Sequence, residues 1–572
     1  MHFAQYYLDC LSQASYLIGD ETTGRAVLVD PRRDTDEYVR DAEAAGLRIE
    51  LVVETHIHAD FLSGHLELAR ATGATVCFGE AAETGFPIRR LRDGERILLG
   101  GDDGDGVTLT VLATPGHTLE SICLVIREHP DDEVPFGVLT GDTLFVGDVG
   151  RPDLLSAAGH SPQDMAARLH HSLHTKLLAL PDATRVFPAH GAGSACGRSL
   201  STETSSTIGD QRRLNYALQP MPEADFVRLV TAGQPATPGY FAHDAALNRD
   251  GHPLLEPGPP AALTLDEALA ARERQGAALL DCRPLTAYTR AHLAGSFHTS
   301  LDTRFAEYTG SVLAPGTPIV LLADPGAEQE ARLRLARIGY DHVLGHLPDP
   351  AAVLERCPAL IRRSHRIRYE ELLGEQGWVS GGASGGGGPV GEETAGEEAG
   401  GEELGGEELG GEELGGSEVP GEVLGGVELA DREPGGREAC GGGADCDELG
   451  GGEPGGREAC GGEADRGEPG RGEPVGRGAA GRGAGGSWPA GVQLIDVRNP
   501  AEYEAGALPG ARNIPLAGLR HRIGELDPDR PVVLYCRSGN RSVIAAALLE
   551  AHGFGDVCDV VGGYEAVAAA AV

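Results

Sequence analysis

Six side chains of metal-ligand type fall into four short stretches near the start of the chain. "THIHAD" carries His56, His58 and Asp60, "TPGHT" carries His117, "TGDTLF" carries Asp142 and "FPAHGAGS" carries His190. Each stretch follows an apolar run and reads as a turn at a strand end. A lone histidine is most often a packed structural residue. Four histidines and two aspartates recurring at strand ends describe a metal site instead, because imidazole and carboxylate are ordinary ligands of divalent transition metals. A two-metal centre would want one more ligand directly after Asp60, and that position is Phe61.

A second reactive group lies near the end. "VVLYCRSGNRSVIAAALLEAHGF" reads as a strand, a tight loop and a helix. The loop is Cys536, Arg537, Ser538, Gly539, Asn540 and Arg541. A cysteine facing loop N–H groups, the positive end of a helix and an arginine is stabilised as thiolate, and then as an anionic persulfide. Gly and two Arg around a strand-end Cys are not core-like.

The surrounding elements position these groups. "RAVLVD" (25–30), "IELVVET" (49–55), "VTLTVLATPG" (107–116) and "FGVLTGD" (136–142) read as strands, and 34–47 as a helix after an aspartate cap. Residues 1–240 form one α/β domain. Residues 241–260 read as a linker ending in a Gly/Pro breaker. Residues 261–365 and 490–572 share a plan, a strand of "LLDCRP" or "LIDVRNP" type, then a strand, loop and helix, so they read as a duplicated domain. The middle copy has Ala323 or Asp324 where the cysteine should stand, and Glu328 near the Arg541 position. A carboxylate there repels an anionic sulfur species, so this copy is expected to be inactive and to act as a scaffold. Between the copies, 379–487 is a Gly/Glu-rich linker with a five-residue repeat, and Cys440, Cys446 and Cys460 match no zinc spacing. Such a stretch buries too little apolar area to offset its chain entropy and is expected to be a disordered, self-repelling tether.

The whole chain has 572 residues and a net charge of −40. The length implies about three or four domains, and the charge speaks against nucleic acid and anionic membranes. The start lacks the basic and apolar regions of a signal peptide, and no apolar run approaches the roughly 20 residues that span a bilayer. Eleven cysteines without a framework spacing read as reduced thiols. A cytoplasmic location is expected.

The motifs of residues 1–240 resemble the metallo-β-lactamase superfamily, whose fold is an αβ/βα sandwich. The two-metal members carry His-x-His-x-Asp-His, from which this chain departs at Phe61. Within that superfamily the persulfide dioxygenases bind one Fe(II). The resemblance implies His56, His117 and Asp142 as iron ligands. Two histidines and a carboxylate on one face leave positions open for substrate and O2. His58, Asp60 and His190 then hold ligands and bound water by hydrogen bonds, or capture a weak second metal. "TGDTLFVGDVGRPDLL" and "PAHGAGSACG" are similar to persulfide dioxygenases fused to rhodanese domains, though glyoxalase II thioester hydrolases share "TGDTLFVG". Arg151 is read either as a receiver of an anionic substrate group or as a structural ion pair, and Cys196 as a sulfur acceptor or a small buried filler.

The Cys536 unit resembles the rhodaneses, including Asp496, Arg498 and Glu502, and departs from them at Ala507. Four residues between Cys536 and Arg541 suit a sulfane sulfur; related phosphatases have one more. The fold expected is thus a metallo-β-lactamase sandwich followed by two rhodanese-like domains. The function the resemblance implies is oxidation of a low-molecular-weight thiol persulfide to sulfite with O2, coupled to sulfur transfer that makes or uses thiosulfate, in sulfide detoxification. A homodimer or higher homo-oligomer is implied as well. The alternatives are a zinc-dependent thioester hydrolase resembling glyoxalase II, and a sulfur carrier in which Cys536 alone works.

Overall fold

The computed structural model describes residues 1–368 and 491–570, apart from 102, 103, 199 and 257. The linker expected over 379–487, with its three cysteines, lies outside the described residues.

The first domain is built on two six-stranded sheets. One runs in chain order from His2–Leu8 through Gln13–Asp20, Arg25–Val29, Arg48–Val53 and Thr75–Gly79 to Arg89–Leu91. The other is ordered Ser206–Thr207, Arg185–Pro188, Gly137–Gly141, Ile122–Arg127, Thr108–Ala113 and Arg96–Leu98. Alternate side chains explain why the strands read as unbroken apolar runs. Ile18, Val27 and Val29 point between the sheets and meet Val111, Leu124 and Phe187. Leu17 and Leu28 point outward and meet Tyr38, Ala42 and Leu68 of two covering helices. Leu169 and Phe226, from helices Pro162–Ser172 and Glu223–Thr231, cover the second sheet in the same way. Both faces of each sheet are buried, which gives the αβ/βα sandwich.

The other two domains repeat a parallel sheet. In the middle one the order is Phe297–His298, Ala278–Asp281, Ile319–Leu322 and Val343–His346; in the last it is His365–Ile367, Val557–Val560, Val532–Tyr535, Gln493–Asp496 and Arg512–Asn513. Their registers correspond. Leu322 pairs with Asp281 as Tyr535 pairs with Asp496. Arg283 clasps Asp281 and Arg498 clasps Asp496, both at 2.6 Å. Ala323 therefore stands at the Cys536 position, which decides between the two residues the sequence left open.

Two features depart from the sequence reading. Residues 241–250 are no linker: Phe241–Asp250 is a helix with Asp244 and Asn248 buried, and Asn248 hydrogen-bonds the loop of His58 and Phe61. Its polar inward face hid the helical period. Residues 365–367 join the sheet of the last domain, through parallel pairing with Cys558–Val560, not that of the middle one. The last domain also packs directly against the middle one. Helix Phe305–Val312 of the middle domain, the bridging helix, packs against Leu516–Arg522 and Asn540–Ala551 of the last. Cys536, Phe305, Tyr240 and Phe61 belong to one continuous apolar core. At Gly310 the bridging helix meets the Tyr240 ring so closely that a Cβ would sit 2.3 Å from it, so only glycine fits.

Candidate functional sites

Loops after the strands deliver His56, His117 and Asp142 to one point. All three are buried, and one ligand atom of each lies within 4.8 Å of the others. His56 Nε2 is 3.8 Å and His117 Nε2 3.3 Å from Asp142 Oδ2. None of these three atoms has a hydrogen-bond partner in the protein. Orphaned buried polar atoms are expensive, and three converging ones describe a cation seat.

Hydrogen bonds fix the tautomers. His117 Nδ1 meets the Arg151 carbonyl at 2.9 Å, and a carbonyl only accepts. His56 Nδ1 meets Thr55 Oγ1 at 3.0 Å, while that hydroxyl donates to Asp30 Oδ2 at 2.8 Å. Both Nδ1 atoms therefore carry the proton, and both Nε2 lone pairs face Asp142. Burial pushes both imidazoles below their ordinary range, so they stay neutral. Asp142 stays ionised: burial works against it, but His190, His56 and His117 hold it well below the carboxylate range.

The remaining histidines are spoken for. His190 Nδ1 is 2.6 Å from Asp142 Oδ1 and its Nε2 2.7 Å from Asp60 Oδ2. Burial acts to lower its pKa, but the two carboxylates raise it to about 10. His58 Nε2 lies 3.0 Å from Asp30 and 3.2 Å from Glu54. These partners outweigh burial and hold its pKa well above the usual value. Glu54 is brought down to about 2 against its own burial by His58 and His65. The site thus divides into two neutral imidazoles aimed at the cation seat and two whose Nε2 atoms are held by carboxylates. Phe61 fills the space beside His58, ring centroids 4.4 Å apart.

Asp60, His190 and Cys196 form a second converging group within 4.8 Å. Burial pushes the Cys196 thiol far up, and Asp60 and Asp142 push it further, so it stays protonated and weakly nucleophilic. Arg151 does not reach for a substrate. Its guanidinium is buried, clasps Asp153 at 2.7 and 2.9 Å, and donates to the Ala195 and Pro235 carbonyls and to Thr237. It positions the loop whose carbonyl orients His117.

Several site-building residues escaped the sequence reading. Asp30 adopts φ 51°, rare for a residue with a side chain, and so aims its carboxylate at Thr55 and His58. Asn248 donates to the His58 and Phe61 carbonyls and accepts from the Ser63 N–H, tying the ligand loop in place. The middle domain adds a bond from Leu62 N to the Arg337 carbonyl at 2.8 Å. Asp30 ends a strand, the one signal that could have marked it. The others are long-range contacts.

In the last domain Gly539 N donates to Cys536 Sγ at 3.1 Å. Gly539 has φ 104°, which a side chain would strain. The thiol sits at the N-terminal end of the long helix Asn540–Ala551. Arg541 is held by Glu502 through a bidentate pair at 2.7 and 2.8 Å. Arg537, Ser538 and Asn540 are exposed at the loop rim. In the middle domain the matching loop is self-occupied: Gly326 N donates to Glu328 Oε2 at 2.7 Å.

The model of the metallo-beta-lactamase superfamily matches residues 8–190, and that of the rhodanese-like domain matches 264–347 and 486–570. A stretch of 208 residues is 31% identical to the mitochondrial persulfide dioxygenase ETHE1 of Homo sapiens, covering 36% of this chain and 70% of that protein. The chain belongs to the metallo-beta-lactamase superfamily. In it the superfamily domain is followed by two rhodanese-like domains. A hydroxyacylglutathione hydrolase of Maricaulis maris is 31% identical over 259 residues, 44% of this chain and 86% of that one. The beta-lactamase hydrolase-like protein of Xylella fastidiosa is 31% identical over 274 residues, 43% of this chain, and the match spans only 59% of that relative's length. Among solved structures, a metallo-beta-lactamase from Staphylococcus aureus is 34% identical with a TM-score of 0.54, covering 61% of this chain and 98% of that one. Among the described residues no helix is long and apolar enough to cross a membrane.

Proposed function

We propose that this superfamily member oxidises a low-molecular-weight thiol persulfide to sulfite and free thiol, and that Cys536 transfers sulfane sulfur to or from thiosulfate. The observation that carries the reading is the ligand set: two neutral histidines and one carboxylate converge while His58 is held by Asp30 and Glu54. One Fe(II) held by His56, His117 and Asp142 would supply open positions for O2 and the terminal sulfur. The balance is RSSH + O2 + H2O → RSH + sulfite + two protons. The chain's own residues do the rest. Thr55 and the Arg151 carbonyl keep both Nε2 atoms aimed. His190 holds Asp142 from behind and Asp60 beside the substrate face. Phe61, Phe145 and Tyr240 keep bulk water out.

At the second site the Cys536 thiolate attacks the sulfane sulfur of the thiol persulfide and expels the free thiol. The Gly539 N–H, the helix end and Arg541 stabilise the charge that remains on sulfur. This activity is placed in the cytoplasm, in sulfide detoxification. The human persulfide dioxygenase supports the first half and the rhodanese-like match the second. The deciding experiment is metal analysis of anaerobically purified protein together with O2 uptake on adding glutathione persulfide. Stoichiometric iron and persulfide-dependent O2 uptake are expected; stoichiometric zinc without O2 uptake defeats the proposal.

A second reading has its own support. Asp60, His190 and Cys196 converge as a neighbouring ion seat, and the Maricaulis hydrolase is a relative. A two-zinc thioester hydrolase would fill both seats and turn over without oxygen.

A further inference from the structure

The bridging helix belongs to the rhodanese-like domain that has Ala323 in place of the loop cysteine, yet it lines cavities toward both candidate sites. Arg304 and Glu307, at its first turn, form an ion pair at 2.5 Å. Two cavities meet at this pair. On the metal side, a pocket of about 10 Å³ is lined by Asp60, Ser194, Tyr240 and the pair itself. On the other side, a cavity of about 250 Å³ is lined by the same pair, Tyr308, Ser311, Asn499 and Arg541. Arg541 belongs to the Cys536 loop. The first pocket has room for one water, and Arg304 and Glu307 form a wall common to both cavities. Arg304 is also anchored on the metal-side loop through the Gly193 carbonyl.

We propose that the Arg304–Glu307 pair is a gate on an internal route by which sulfite passes from the metal pocket to the Cys536 loop. The inference rests on the persulfide oxidation proposed above. Arg304 and Arg541 give the larger cavity two cationic groups suited to a small sulfur oxyanion. Burial pushes the Glu307 carboxyl up against the pull of Arg304, with Asp60 raising it further and Arg541 lowering it. An arriving oxyanion competes with Glu307 for Arg304 and opens the pair. At Cys536 the sulfite sulfur attacks the outer sulfur of the cysteine persulfide. One S–S bond forms, the Sγ–S bond breaks, and its electron pair leaves on Sγ as thiolate, releasing thiosulfate.

The test uses the full-length protein, O2 and glutathione persulfide with ³⁴S at its terminal sulfur, in the presence of excess unlabelled sulfite. Thiosulfate with both sulfurs labelled arises when sulfite made on the protein is used before it mixes. A Cys536→Ser variant measures the uncatalysed background. Internal passage predicts a doubly labelled share about fivefold above the labelled share of the bulk sulfite, as a raised local concentration requires. Arg304→Gln is expected to bring that share down to the bulk value. Glu307→Gln, which leaves Arg304 unpaired, is expected to keep or increase it, whereas two residues that merely pack would respond alike. A wild-type share equal to the bulk value overturns the gate. Absence of persulfide-dependent O2 uptake overturns instead the functional proposal beneath it.

Discussion

His58 presents its Nε2 to Asp30 Oδ1 at 3.0 Å, not to the point where His56, His117 and Asp142 converge. The second histidine of the "THIHAD" motif is thereby withdrawn from the cation seat. Phe61 removes a ligand from one side of the site, and the Asp30–Glu54 pair removes one from the other.

The hydroxyl of Thr55 couples this pair to the ligands. It accepts from His56 Nδ1 and donates to Asp30. Thr55→Val keeps the shape and removes both bonds. It is expected to weaken metal binding about 10–100-fold, read by titration against a competing chelator. Unchanged affinity would show that His56 needs no such orientation.

Glu54→Gln takes away one of the two charges that hold His58. The ring is then free to join the ligand set. Reconstitution with equal iron and zinc should shift toward zinc relative to the wild type, because a third imidazole favours the tetrahedral ion. A ratio that stays put argues that Asp30 suffices alone.

Asn248→Ala strands the His58 and Phe61 carbonyls and the Ser63 N–H in a buried place. Leaving such groups unpaired is expected to cost roughly 3 kcal/mol or more. Thermal unfolding of the variant should begin several degrees lower, and metal affinity should fall with it. A change in neither would remove the Phe241–Asp250 helix from the account of the site.

Gly539→Ala puts a side chain at φ 104° and disturbs the N–H aimed at Cys536. The strain is of order 1–3 kcal/mol. Transfer of sulfur from thiosulfate to cyanide should drop at least about tenfold, a loss that corresponds to about 1.4 kcal/mol. Full activity would mean that the loop amide does not stabilise the sulfur.

The middle domain offers the reverse experiment. In a Cys536→Ser background, Ala323→Cys alone is expected to give no sulfurtransferase activity, because Glu328 holds the loop amide. Adding Glu328→Gln should release that amide and give measurable transfer.

The ligand residues were legible because strand-end His and Asp keep their meaning without tertiary information. The same holds for Cys536, whose strand–loop–helix is local. Contacts across the fold were not legible. Asn248 lies some 190 residues from the carbonyl it caps, and its helix carries its buried side chains without an apolar stripe. Arg151 read as a candidate for substrate because arginine near a site commonly binds anions; its four protein partners appear only in three dimensions. The identity of Ala323 as the missing cysteine needed the pairing of Leu322 with Asp281. The place of His365–Ile367 in the last sheet depends on a pairing that skips about 190 residues.

The bond from Gly326 N to Glu328 bears on what the loop of the middle domain can bind. Ala323 offers that loop no nucleophile, and the Glu328 carboxylate accepts from the amide that corresponds to Gly539 N. With that amide taken by a carboxylate of its own chain, the middle loop is expected to hold sulfur anions poorly and to leave them to the Cys536 loop.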